Sequence, residues 1–192
     1  MAIDYLPVSW DDYHSLARQL AEKILSDKVK IDEVVAISRG GLTFGHLMTD
    51  LLRVPISTFT IQSYSNLLEK GEVTITKPLA TPLNGKRILL TDDVSDTGTT
   101  LKRAIEYLKM FSPKKIYTLT MFFKPHSIYK PDYFAKTTSA WIMFPYEPVE
   151  TVINIVKGMK KDGKSDNEIK KLLDSLHCNP DIIKFAYKFY IK

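Results

Sequence analysis

Apolar and polar positions divide the chain into a stretch of alternating strand and helix signals and a final stretch of helix signals alone. Trp10, Tyr13, Leu16, Ala17, Leu20, Ile24 and Leu25 recur at helical spacing, which predicts a helix burying that face. Ser9, with Asp12 three positions later, supplies its cap. Short apolar runs at 34–37, 55–61, 87–91, 116–123 and 140–144 predict strands, and 73–76 predicts another that forms a hairpin with the run at 55–61. Between them, Leu42, Leu47, Leu51 and Leu52 mark a second helix, and Leu101, Ala104, Ile105 and Leu108 a third. Residues 63–72 are polar and aperiodic, as expected of an exposed loop.

Near-continuous apolar strands alternating with helices predict an α/β fold: a mainly parallel central sheet flanked by helices. Ligands in such sheets bind at the C-terminal strand ends. From Glu150 onward the pattern is helical only. Val152, Ile153, Val156 and Met159 form one face, Ser165 and Glu168 cap a helix carrying Ile169, Leu172, Leu173 and Leu176, and Pro180-Asp181 opens the last. The chain therefore reads as a domain over 1–149 with a helical C-terminal extension over 150–192.

Composition narrows the class. In 192 residues, 44% hydrophobic content supports a buried core, and 26% charged residues keep it soluble. The net charge of +5 suits an anionic substrate, a lysine-rich surface or weak nucleic-acid contact, so charge alone decides nothing. The single cysteine, Cys178, excludes an internal disulfide and reads as a small packed residue near a helix end. His14, His46, His126 and His177 are scattered without metal-ligand spacing. Residues 1–7 lack a signal-peptide pattern, and no apolar run approaches the ~20 residues that span a bilayer. A cytoplasmic, soluble protein without a membrane partner is expected.

The segment Leu89-Leu90-Thr91-Asp92-Asp93-Val94-Ser95-Asp96-Thr97-Gly98-Thr99-Thr100 carries the strongest chemistry. A buried strand delivers adjacent carboxylates to its end, and a hydroxyl-rich turn opens a helix. Backbone N–H groups from Asp96 to Thr100 can converge on a phosphate with the helix dipole behind them, and Gly98 permits close approach. Paired acids can accept hydrogen bonds from vicinal hydroxyls, as on a ribose. A capped helix after a strand would need only one of them.

This segment resembles the phosphoribosyl-pyrophosphate motif of type I phosphoribosyltransferases. The resemblance implies that Asp92 and Asp93 bind ribose hydroxyls and that Val94, Ser95, Asp96, Thr97, Gly98, Thr99 and Thr100 complete the donor site. It places Asp93 nearest a Mg²⁺ cofactor, and Asp96 facing N7 of a purine as candidate general base. Arg39-Gly40-Gly41, at another strand end, matches the family's pyrophosphate loop through Arg39 and Gly40. Gln62-Ser63-Tyr64 through Lys70-Gly71-Glu72 is similar to its catalytic loop, with Lys70 where an arginine is expected to hold pyrophosphate.

Two further segments resemble xanthine–guanine phosphoribosyltransferases of bacteria and their archaeal relatives: Phe122-Phe123-Lys124-Pro125 and Ala140-Trp141-Ile142-Met143-Phe144-Pro145-Tyr146-Glu147. They imply that Lys124 contacts O6, Trp141 stacks on the base, the Ile142 backbone reads the ring edge, and Glu147 lies near the 2-position, where relatives have aspartate. Lys124 offers donors only, which favours a 6-oxopurine over adenine. Residues 1–149 would then be the transferase domain with a small base-binding hood. The expected activity is purine salvage from phosphoribosyl pyrophosphate and a purine base by a dimer or tetramer, without nucleic acid. Transfer to adenine and non-catalytic donor sensing by a regulator are the alternatives.

Overall fold

The structure, a computed structural model, describes residues 3–63 and 73–191. Its packing separates two compact units, His14–Ser139 and Met1–Tyr13 with Ala140–Lys192.

The larger unit holds a six-stranded sheet. In chain order its strands are β2 (Glu33–Ser38), β3 (Ile56–Ser63), β4 (Val73–Lys77), β5 (Arg87–Ser95), β6 (Lys115–Phe123) and β7 (Tyr133–Thr137); β1 belongs to the other unit. The spatial order is β4-β3-β2-β5-β6-β7, and every pairing is parallel except that of β3 with β4, the expected hairpin. Five residues of β2 are fully buried, as a central parallel strand covered on both faces requires.

Helix α2 (Gly40–Leu52) joins β2 to β3, and α3 (Thr99–Lys109) joins β5 to β6. On α3 the expected Leu101, Ala104 and Leu108 are buried, within a core that includes Val35, Phe59, Leu83 and Leu90. On α2 the leucines do not define the buried face. Gly41, Phe44, Gly45 and Met48 do, while Leu42 is exposed. A Cβ at Gly41 would stand 2.2 Å from the Thr91 carbonyl oxygen, and one at Gly45 would stand 2.8 Å from Ala36 Cβ. The two glycines, one turn apart, let the helix backbone lie directly on β2 and β5. Phe44 and Met48 then fill the remaining space, each contributing about 2–3 kcal/mol of apolar burial.

Helix α1 (Trp10–Ser26) starts as the sequence indicates: the Asp12 amide donates to Ser9 Oγ at 3.0 Å, and Ser9 Oγ donates to Asp12 Oδ2 at 2.6 Å. Its middle is buried from Tyr13 to Ile24, but the ends of the stripe, Trp10 and Leu25, are exposed. An apolar stripe longer than the surface beneath it leaves its end residues uncovered.

Strand β5 runs past the predicted end at Thr91, through the acid pair to Ser95. Its neighbour β6 supplies pairing that far, with Ser95 opposite Phe123. Tertiary pairing overrides the weak strand preference of aspartate. Strand β7 was not predicted. It follows β6 through a loop rather than a helix, pairing Leu119 with Tyr133 and Phe123 with Thr137.

The smaller unit contains β1 (Tyr5–Pro7), β8 (Trp141–Met143), α4 (Pro148–Lys161), α5 (Asp166–Ser175) and α6 (Pro180–Phe189). The run expected at 140–144 is therefore a strand, but it pairs with β1 in a separate two-stranded sheet. The three helices enclose their own core of Val152, Ile155, Val156, Ile169, Leu173 and Ala186. The capping box of Ser165 with Glu168 forms as predicted, and Asn179 caps α6. Among the described residues no helix is long and apolar enough to cross a membrane.

Candidate active site

The chain leaves β2 toward β3 on one side of the sheet and leaves β5 toward β6 on the other. The direction of winding thus reverses between β2 and β5, and a crevice opens there at the C-terminal strand ends. Arg39 and Gly40 follow β2, the acid pair and hydroxyl turn lie on and after β5, and Lys124 follows β6. These predicted residues are brought to one edge of the larger unit.

At the end of β5 the two acids differ. Asp92 is buried, and its Oδ1 accepts the Asp93 amide at 3.1 Å; Asp93 is half-buried, and its Oδ1 accepts the Val94 amide at 2.7 Å. Burial pushes the Asp92 carboxyl well above the usual range, the Asp93 charge adds to this, and the bond from the Asp93 amide opposes both. Gly40 brings the backbone of the loop after β2 against Asp93: a Cβ there would sit 2.4 Å from Asp93 Oδ2. Arg39 is exposed at the start of α2, and its peptide bond to Ser38 is cis.

The turn from Asp96 to Gly98 leads into α3, whose N-cap, Gly98, has φ of 81° and gives no side-chain cap. Thr97 Oγ1 and Thr99 Oγ1 share a hydrogen bond of 2.8 Å on the exposed side. Gly98 is required for a reason the sequence did not reveal. Besides its positive φ, a Cβ there would meet Ser127 Oγ and the Tyr129 backbone nitrogen, each at 2.6 Å. Close approach at Gly98 is thus to the loop after β6.

That loop is fastened to the hydroxyl turn. The Lys124 amide donates to the Ser95 carbonyl and the Ile128 amide to the Thr97 carbonyl, both at 3.0 Å. The buried Ser95 hydroxyl donates to the Tyr129 carbonyl at 2.7 Å and lies 2.9 Å from Ser127 Oγ. Lys124 itself is only 7% exposed, far from an ordinary surface lysine. Burial lowers its pKa, and the charge of Asp96 partly restores it. His126, which the sequence reading passed over, places Nε2 3.3 Å from Asp96 Oδ1. The available signal was a histidine two residues after the Lys124 strand end.

The remaining predicted residues are not gathered in this unit. Trp141, Ile142 and Glu147 lie in the smaller unit, Trp141 with an exposed indole and Ile142 with a buried side chain. The Trp141 amide donates to the Asp4 carbonyl at 2.7 Å, and the Met143 carbonyl accepts from Val8 at 3.1 Å. Parallel pairing alternates, so the N–H and C=O of Ile142 turn away from β1. Glu147 is half-buried at the N-cap of α4. Lys70, with the rest of 64–72, lies outside the described residues; Gln62 is exposed near the end of β3.

Asp93 and Asp92 suit a hard divalent cation. Among the described residues no cluster of three or more His, Cys, Asp or Glu forms a protein cage. One or two carboxylates completed by substrate phosphates is the usual setting of Mg²⁺.

Residues 9–151 match the phosphoribosyl transferase domain family. Over 144 residues the chain is 34% identical to the xanthine-guanine phosphoribosyltransferase of Desulfotalea psychrophila, covering 73% of this chain and 85% of that protein. It is 27% identical over 143 residues to the same enzyme of Idiomarina loihiensis, with the same shares covered. The solved purine phosphoribosyltransferase of Pyrococcus horikoshii superposes with a TM-score of 0.69 at 32% identity, covering 76% of this chain and 95% of that one.

Proposed function

Because the chain belongs to the phosphoribosyl transferase domain family, we propose that it makes purine nucleotides by transferring 5-phosphoribosyl from phosphoribosyl pyrophosphate to N9 of a 6-oxopurine. The fold is that of the type I phosphoribosyltransferases. The observation that carries the base preference is Lys124, an almost buried ammonium fixed at a strand end within the electrostatic reach of Asp96. Its donors match the carbonyl at position 6 of hypoxanthine, guanine or xanthine, and would face another donor in adenine.

Residues 96–100 hold the 5-phosphate through backbone amides at the start of α3 and the hydroxyls of Thr97, Thr99 and Thr100. Ser95 and Val94 contribute through the backbone, the Ser95 hydroxyl being engaged with Tyr129. Asp92 and Asp93 accept the ribose hydroxyls, and Asp93 is the residue that would hold Mg²⁺. Bound there with the donor, Mg²⁺ would supply neutralising charge to the phosphates. Arg39, the Gly40 backbone and Lys70 hold the departing pyrophosphate.

In the transfer, the bond from C1 to the pyrophosphate oxygen breaks and a bond from C1 to N9 forms. The ring proton passes to Asp96, while Lys124 stabilises charge at O6. Trp141 presents an exposed face for stacking, and the outward N–H and C=O of Ile142 suit a ring edge. Glu147 is assigned to the 2-position from its place in the sequence. Residues 1–149 form the transferase portion and 150–192 a helical extension of a cytoplasmic homo-oligomer.

The test is incubation of the purified protein with phosphoribosyl pyrophosphate, Mg²⁺ and a mixture of hypoxanthine, guanine, xanthine and adenine, with products read by mass. Monophosphates of the oxopurines are expected. Adenosine monophosphate as the main product would overturn the base assignment, and no nucleotide from any base would overturn the activity.

A further inference from the structure

We propose that His126 is a positioning residue for the reaction: its imidazole holds the Asp96 carboxylate in the orientation from which it takes the ring proton. The inference rests on the role proposed for Asp96. His126 Nε2 lies 3.3 Å from Asp96 Oδ1, and the two belong to different loops. A pair with both side chains 60% exposed would ordinarily be mobile and worth little. Here the backbones on either side are fixed to one another. Lys124 and Ile128, flanking His126, donate to the Ser95 and Thr97 carbonyls flanking Asp96. The Ser95 hydroxyl reaches across to Tyr129, and Gly98 packs on the Tyr129 backbone. The imidazole therefore meets the carboxylate in a preset frame, and a bound base would displace water from the pair and strengthen it.

His126 lies beside Asp96, and the Asp96 charge also acts on Lys124. With Nε2 set against Oδ1, the carboxylate is steadied with its other oxygen toward the ring proton.

The test compares His126→Ala, His126→Asn and Asp96→Asn with the unaltered protein, following kcat with hypoxanthine and KM for phosphoribosyl pyrophosphate. His126→Ala is expected to lower kcat about three- to tenfold, a fraction of what general-base catalysis supplies, and to leave the donor KM within about twofold. His126→Asn keeps a polar group able to reach the carboxylate, so it recovers most of kcat. Wild-type kcat in both His126 variants, with Asp96→Asn impaired, would overturn the role of His126 alone. An unimpaired Asp96→Asn would instead remove the base on which the inference rests.

Discussion

The carboxylate of Asp93 occupies the space a side chain on Gly40 would need, with Oδ2 2.4 Å from the position of a Cβ there. The loop after β2 and the acid pair on β5 therefore fit together only because residue 40 is glycine.

Gly40→Ala should displace the Asp93 side chain while leaving the backbone near its place, because the obstructing atoms end a side chain. We expect kcat/KM for phosphoribosyl pyrophosphate to fall about 10- to 100-fold, the scale of an ångström-sized misplacement, with little change in Tm. Gly41→Ala meets the Thr91 backbone at 2.2 Å and must push α2 off the sheet. That overpacking costs about 1–3 kcal/mol or more and should appear in a thermal melt as a loss of several degrees. Steady-state kinetics beside the melt separates the two glycines, and equal Tm losses would refute the distinction.

Lys124→Ala should raise KM for the oxopurine about 10- to 100-fold, the worth of a hydrogen bond from a charged donor, and leave KM for the donor unchanged. Competition between hypoxanthine and adenine measures it directly. An unaltered preference would show that the buried ammonium serves only the loop.

Chemistry contiguous in sequence was legible; chemistry assembled across loops was not. Asp92 through Thr100 could be read because strand, acids, turn and helix start follow one another. The dependence of Gly40 on Asp93, and of Gly98 on Tyr129, joins segments that only the sheet order makes neighbours. His126 was missed for the same reason, since its partner sits on the preceding β–α turn. The face of α2 was misread because leucine counts favour bulk, whereas close helix–strand contact selects Gly41 and Gly45. Strand β8 was expected, but β1 is only three residues, too short for a period to register, so the pairing of the two could not be read from the sequence.

Asp92→Asn should stabilise the protein while damaging donor binding. The folded-state pKa of Asp92 is raised by burial and by Asp93. Its favourable contribution is therefore complete only below the unfolded carboxylate value, about 3.9, and is lost as pH rises through the folded value. At neutral pH burying this acid is a cost, whether borne as the charge or as uptake of a proton, and the amide removes it. We expect Tm at pH 7, measured with a metal chelator and without donor, to rise by about 2–4 °C, the shift that 1 kcal/mol produces in a chain of this size. The gain should vanish near pH 3, and KM for phosphoribosyl pyrophosphate should rise. A Tm unchanged at pH 7 would place the Asp92 charge in a better-compensated setting.

Gly98→Ala should separate the loop after β6 from the hydroxyl turn. Alanine at φ of 81° is strained by about 1–2 kcal/mol, and its Cβ would stand 2.6 Å from the Tyr129 nitrogen. Backbone lies on both sides of that contact, so one segment must move. Movement of the turn would disturb the proposed 5-phosphate site, and movement of the loop would carry Lys124 and His126 away from Asp96. Both donor and base KM should therefore rise together, unlike Lys124→Ala, which affects the base alone. Ser127→Ala gives the graded case. It removes a hydroxyl that accepts from the Tyr129 amide at 3.3 Å and lies 2.9 Å from Ser95 Oγ, but leaves the backbone bonds between the segments in place. It should loosen the loop and raise base KM by a smaller factor than Gly98→Ala does. If Gly98→Ala raised donor KM alone, the turn would yield while the loop held, and the coupling of Lys124 to the phosphate turn would be refuted.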